Sequence, residues 1–214
     1  MIRAAVFDFG ETLVSEERAW TAWAEWLGVP AQELFAALGA VIERREPHPR
    51  ALSLVSPGFD LSRALAERDA AGVPRHEELY DAYPDAAGAL ERLRAEGIAV
   101  GAAGNQPLGA EAALASLLRP GELVATSAAW GLQKPDHGFF TRIADELQLL
   151  PSEIAYVGDR VDLDIVPAAA VGMFTVHLRR GPWGVIHATW DESADADVRA
   201  ENLDEAVEAI LAEH

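Results

Sequence analysis

The chain has 214 residues, half of them hydrophobic, which is enough for one core or one domain carrying a smaller insert. It carries 35 acidic against 17 basic residues, a net charge of −18, so its field repels nucleic acid and anionic membranes. With no cysteine, disulfides, thiolate nucleophiles and zinc-thiolate sites are excluded. No apolar run approaches membrane-spanning length and the N-terminus enters a strand at once, so the expectation is a soluble, cytoplasmic protein with no nucleic-acid or membrane partner. Lys134 is the only lysine, and an anionic substrate would rely on it or on a metal ion.

Ile2 to Phe7 is a short apolar run, as expected of a strand covered on both faces, and Asp8 stands at its carboxyl end. A strand-end acid of an open α/β sheet is a favoured position for chemistry, although an aspartate there can also simply cap a turn. Beyond Leu13 the period turns helical. Trp20, Trp23 and Trp26 lie three apart on a helix over 18–27 that Gly28-Val29-Pro30 ends. Aromatics at that spacing read first as packing. A second helix runs from Ala31 to about Arg45, and Pro47-His48-Pro49 breaks it. Residues 52–59 read as irregular, and His48 as an exposed turn residue. A helix over 61–71 stops at Gly72-Val73-Pro74. Residues 15–84 therefore form a small helical insert.

From Ala86 helix and strand alternate, the mark of a parallel sheet with crossover helices. Helices are expected over 86–96, 111–118, 136–148, 164–171 and 203–212. Strands are expected over 98–103, 123–126, 154–157 and 173–178, with a short edge strand near Val198 and a loop over 179–184. The fold class is α/β, a doubly wound, Rossmann-like parallel sheet with a helical insert after the first strand. The core takes residues 1–14 and 85–214.

The strand ends collect Asp8, Gly104-Asn105, Lys134-Pro135 ahead of a helix, and Asp159 with Asp164. These suit attack by a carboxylate on an electrophile, with a hard divalent cation on oxygen ligands and an ammonium offsetting anionic charge. Magnesium fits best, since it needs neither histidine nor thiolate. Asp162 reads as a third acid of that shell or as a helix cap, and Arg160 as a phosphate contact or as its ion-pair partner.

In its Asp8 motif, the insert directly after it, Asn105, Lys134-Pro135-Asp136, and Gly158-Asp159 with Asp164 five further on, the chain resembles the haloacid dehalogenase-like hydrolase superfamily over its whole length. The resemblance implies a helical cap over 15–84 that supplies leaving-group specificity, and Asp8 as nucleophile forming an aspartyl-enzyme intermediate. It implies Lys134 as the neutralising cation, and Gly104, Asn105 and Lys134 as the phosphate-binding set. Magnesium would be held by Asp8, the Gly10 carbonyl, Asp159 and Asp164.

Two positions depart from the usual pattern. Gly10 stands where an aspartate normally protonates the leaving group, a contribution of roughly 10²–10⁴ in rate. Glu11 is adjacent, but a neighbour on a strand end points another way. Leaving groups that need little protonation, such as those of acyl phosphates or sugar-1-phosphates, would suffer least. Gly104 stands where serine or threonine normally binds the phosphoryl group, although backbone amides at Gly104 and Asn105 can still donate. Three readings stay open: a magnesium-dependent phosphatase acting on a small phosphorylated metabolite, a haloacid dehalogenase, and a catalytically weak phosphate-binding or interaction protein. The paired acids Asp159 and Asp164 count against the second. Neither the substrate's identity nor the oligomeric state is written in the sequence.

Overall fold

The computed structural model describes residues 1–214. Contacts within the chain divide it into two compact units, Met1–Ser15 with Ala82–His214, and Glu16–Asp81.

The strands in chain order are β1 (Ala4–Phe7), β2 (Val14–Ser15), β3 (Asp81–Ala82), β4 (Ala99–Gly104), β5 (Leu123–Thr126), β6 (Ile154–Gly158), β7 (Phe174–Leu178) and β8 (Val198–Ala200). The helices are α1 (Glu17–Leu27), α2 (Ala31–Glu43), α3 (Arg50–Val55), α4 (Leu61–Ala70), α5 (Ala86–Ala95), α6 (Ser127–Trp130), α7 (His137–Leu147), α8 (Val166–Ala170), α9 (Gly181–His187) and α10 (Leu203–Ala212). Six strands form one sheet in the order β5-β4-β1-β6-β7-β8, all parallel, while β2 and β3 make a two-stranded ribbon.

That order places the topological switch at β1, because the chain builds outward through β4 and β5 on one side and returns to lay β6, β7 and β8 on the other. In such sheets the ligand crevice opens at the carboxyl ends where the order reverses. β1 is buried throughout, and its alternating side chains serve both faces of the sheet. Ala4 and Val6 pack with Phe139, Phe140 and Ile143 of α7 and with Ile154 and Tyr156 of β6. Leu90 and Leu93 of α5 and Val207 and Ile210 of α10 are also fully buried. The expected α/β class with a Rossmann-like parallel sheet stands.

Four local expectations need correction. Residues 52–59 are not all irregular, because α3 begins directly after Pro49, which occupies its N-cap. Proline is tolerated at a helix start, where its missing N–H is not needed. The helix expected over 111–118 shrinks to a 3₁₀ turn, Ala110–Leu114. The loop expected over 179–184 gives way to α9 from Gly181, with Pro182 in its first turn. The helix after Asp159 opens as a π-helical turn, Val161–Ile165, before α8 begins at Val166.

Within the unit Glu16–Asp81, Trp20 and Trp23 are buried, and the Trp23 ring meets Phe59 edge-on at 5.9 Å. The Arg68 guanidinium lies 4.1 Å from the centre of the Trp23 ring and donates to the carbonyls of Ala22 and Pro74. Trp20 and Trp23 are thus packing residues, while Trp26 is half-buried, its ring centre 5.9 Å from the same guanidinium. His48 is exposed, with its ring edge against Trp20.

Candidate active site

Asp8 follows β1 directly. Its backbone N–H still donates to the Val157 carbonyl at 2.9 Å, so the residue is held in line with the sheet before the chain turns. The turn closes through the Phe9 carbonyl, which accepts from Leu13 and Val14 at 3.0 and 3.1 Å. Gly10 is buried inside this turn and bridges to Val14.

The Lys134 ammonium reaches the Asp8 carboxylate at 2.7 Å and that of Asp164 at 2.5 Å, with the Tyr156 hydroxyl at 3.3 Å. Tyr156 donates its own proton to the Ala103 carbonyl at 2.7 Å. All four side chains are buried. Lys134 is fixed through its backbone as well: the Asn105 side chain accepts from the Lys134 N–H and donates to the Lys134 carbonyl, each at 2.8 Å. The next residues enter α7, whose N-cap is Asp136. Asn105 therefore holds the lysine that faces Asp8.

Asp159 follows β6, and the π-helical turn swings Asp164 back over the strand end. Its Oδ2 accepts the Arg160 N–H at 3.0 Å. A side chain at Gly158 would occupy the space Asp164 fills, which requires glycine there. Gly104 is built the same way, since a Cβ would press on Asp8 Oδ1 and come within 3.1 Å of the Phe9 ring. A serine or threonine at position 104 has no room beside Asp8 in this arrangement.

Oxygen atoms of Asp8, Asp159 and Asp164 lie within 4.8 Å of one another. Burial first, and then the charges of Asp164, Asp8 and Glu11, raise Asp159 well above the usual carboxylate range, with Arg160 opposing. Asp164 is raised to about 6 by burial and by Asp8, despite the Lys134 ammonium. Lys134 is held well above its ordinary value by Asp164 and Asp8 against the opposing effect of burial. Three buried carboxylates facing one ammonium leave an excess of negative charge, and a hard divalent cation with oxygen ligands is the chemistry that matches such a donor set. The residues present fit magnesium.

Of the other acids, Asp162 turns away to a two-pronged pair with Arg160, at 3.1 and 2.8 Å. Glu11 is buried in the left-handed region, φ 53°, and accepts the Tyr83 hydroxyl at 2.5 Å. Arg180 stacks on that tyrosine, 4.1 Å from its ring centre, pairs with Asp85 and donates to the Thr12 carbonyl. Gly181, with φ 63°, lies directly against Glu11, where a side chain would collide.

Sequence reasoning passed over Tyr156, His177 and His187. Each is a polar ring in an apolar stretch, and a buried polar atom has to find a partner. That was the available signal.

A family model for haloacid dehalogenase-like hydrolases matches residues 2–172. The chain is 32% identical over 205 residues to glyceraldehyde 3-phosphate phosphatase of Methanopyrus kandleri, covering 86% of each. It is 34% identical over 166 residues to ribulose-1,5-bisphosphate 5-phosphatase of Halopiger xanaduensis, covering 75% of this chain and 66% of that one. Among solved structures, a phosphatase of the same superfamily from Thermococcus onnurineus superposes with a TM-score of 0.64 at 22% identity, over 98% of both chains. The L-2-haloacid dehalogenase RSc1362 gives 0.71 at 17% identity, over 98% of this chain and 99% of that one. The chain belongs to the haloacid dehalogenase-like hydrolases. It is a hydrolase, and no helix in it is long and apolar enough to cross a membrane.

Proposed function

We propose that this hydrolase is a magnesium-dependent phosphatase acting on a small phosphorylated metabolite, with Asp8 as its nucleophile. The observation that carries the reading is the single lysine of the chain, buried and paired at once with Asp8 and Asp164 beside Asp159. The substrate class rests on the relatives, whose names specify phosphatases of glyceraldehyde 3-phosphate and ribulose-1,5-bisphosphate. A core of residues 1–14 and 85–214 and a specificity-giving cap of residues 15–84 belong to the same reading.

In this account Asp8 attacks phosphorus, the bond to the leaving oxygen breaks, and the phosphoryl group passes to the Asp8 carboxylate. Water then cleaves the aspartyl-phosphate. Lys134 holds Asp8 in place and offsets the charge it shares with the phosphate, and backbone amides at Gly104 and Asn105 donate to the phosphoryl oxygens. Asp8, the Gly10 carbonyl, Asp159 and Asp164 would hold magnesium, which when bound screens anionic charge so that one carboxylate can approach another anion. Gly10 offers no acid to the leaving group. Without that acid, acyl phosphates and sugar-1-phosphates, whose leaving groups need little protonation, are slowed less than alkyl phosphates such as those for which the relatives are named. The test is phosphate release, with and without magnesium, from a panel of acyl phosphates, sugar-1-phosphates and alkyl phosphates that includes glyceraldehyde 3-phosphate and ribulose-1,5-bisphosphate. Release that requires magnesium supports the reading, and no magnesium-dependent release from any member sinks it.

A further inference from the structure

Two imidazoles grip the loop that carries Asp159 and Asp164, and they do so in opposite roles. His177, fully buried on β7, bonds through Nε2 to the backbone carbonyl of Asp159 at 3.1 Å. A carbonyl only accepts, so Nε2 carries the proton. His187, buried on α9, accepts the Val161 N–H through Nδ1 at 3.0 Å. Its ring is stacked on Trp190 with centres 3.8 Å apart, which fixes its orientation. The two bonds are made two residues apart, on the segment from which Asp159 points into the acidic cluster and at which the π-helical turn toward Asp164 begins. Gly184 of α9 closes the same loop from the side, for a side chain there would strike the Leu178 carbonyl and press on Asp159.

His177 holds this position at a cost. Its other ring nitrogen, Nδ1, is buried without any hydrogen-bond partner. An orphaned polar atom inside a strand buried on both faces destabilises the fold, and leucine would fill the space without one. The Asp159 carbonyl is what histidine reaches here and leucine does not.

We infer that His177 and His187 are positioning residues that hold the Asp159–Asp164 loop in the shape in which its carboxylates converge with Asp8 on a divalent cation. The inference rests on the magnesium reading above and adds to it the residues that make the site rigid. Groups that hold metal ligands in place typically account for a 10–100-fold difference in metal affinity, and a backbone carbonyl one step from the ligand belongs at the lower end.

The experiment is magnesium titration of the purified chain by calorimetry, beside thermal unfolding without metal, for the wild type, His177→Leu, His177→Gln and His187→Phe. Glutamine can still donate to the carbonyl, and phenylalanine keeps the stack on Trp190 but cannot accept from Val161. The expected result is roughly tenfold weaker magnesium binding in His177→Leu and His187→Phe. His177→Leu removes the orphaned Nδ1 but also strips the Asp159 carbonyl of its donor, two changes of similar size and opposite sign, so it should unfold close to the wild-type temperature, and His177→Gln should bind magnesium close to wild type. Wild-type affinity in both His177→Leu and His187→Phe would overturn the inference. So would parallel losses of affinity and unfolding temperature in all three variants, which is the pattern of a merely structural role. If His177→Leu does not fold, the other two variants decide on the same criteria. A wild-type chain that binds no magnesium overturns the magnesium reading, and this inference falls with it.

Discussion

The side-chain amide of Asn105 holds the backbone of Lys134 from both directions, accepting its N–H and donating to its carbonyl at 2.8 Å each. The residue at the end of β4 thereby sets the height at which the only lysine meets Asp8. Asn105→Ala removes both bonds. Each is worth about 1 kcal/mol, so denaturant unfolding should show a loss of about 1–3 kcal/mol. The same variant should lose roughly tenfold or more in kcat, because a small misplacement of a reacting group is costly. A raised KM with unchanged stability and kcat would instead mean that Asn105 acts only by touching substrate.

Gly104 allows Asp8 its present position. Introducing a side chain with Gly104→Ala or Gly104→Ser should move the Asp8 carboxylate away from Lys134. Activity is expected to fall by about tenfold to a hundredfold, even though serine adds a donor to the site. Steady-state kinetics of both variants checks this, and a gain of activity in Gly104→Ser would show that the lost donor outweighs the crowding.

Asp159 carries a stability penalty that depends on pH. Its carboxyl is raised in the fold from an ordinary value of 3.8 by burial and by Asp164, Asp8 and Glu11. Below pH 3.8 both folded and unfolded chains hold the proton and there is no effect. As pH rises the unfolded chain ionises first, so the penalty grows until pH passes the raised folded value, and it is full above that. Without metal, Asp159→Asn should be more stable than the wild type at pH 7.5, by about 2–4 °C in Tm for each kcal/mol relieved. The difference should shrink toward pH 4. Magnesium should raise the wild-type Tm more than that of the variant.

Gly181 has a left-handed backbone and lies against Glu11. An L-residue in that conformation costs about 1–2 kcal/mol, and the collision with Glu11 adds to it. Gly181→Ala should therefore lower Tm by several °C, at roughly 2–4 °C per kcal/mol, and calorimetry would read it directly.

Where hydrophobic period and glycine stops agree, as over Leu123–Thr126 and Leu203–Ala212, sequence and structure coincide. The differences arise where proline and glycine have two meanings. Pro49 and Pro182 break the preceding structure and start a new helix, and only the downstream packing decides between these roles. At the candidate site, Asp8 and Asp159 were legible as acids that end apolar strands, Lys134 as the one lysine of the chain, and Asp164 only by its spacing from Asp159 in the motif that carries the resemblance. Tyr156 and His177 were not, since their partners Ala103 and Asp159 lie 53 and 18 residues away and become neighbours only when the strands align. Asn105 was legible as a member of the site, while its bonds to the Lys134 backbone depend on a loop geometry that local sequence does not encode.

The role of Asp8 as nucleophile is decided by acid-quenching the enzyme during turnover with magnesium and a substrate it hydrolyses, then locating the phosphoryl group by peptide mass spectrometry. The expected result is a phosphorylated peptide with the modification on Asp8, and neither modification nor phosphate release in Asp8→Asn. Wild-type turnover in the Asp8→Asn variant, or a phosphoryl group on another residue, would contradict it.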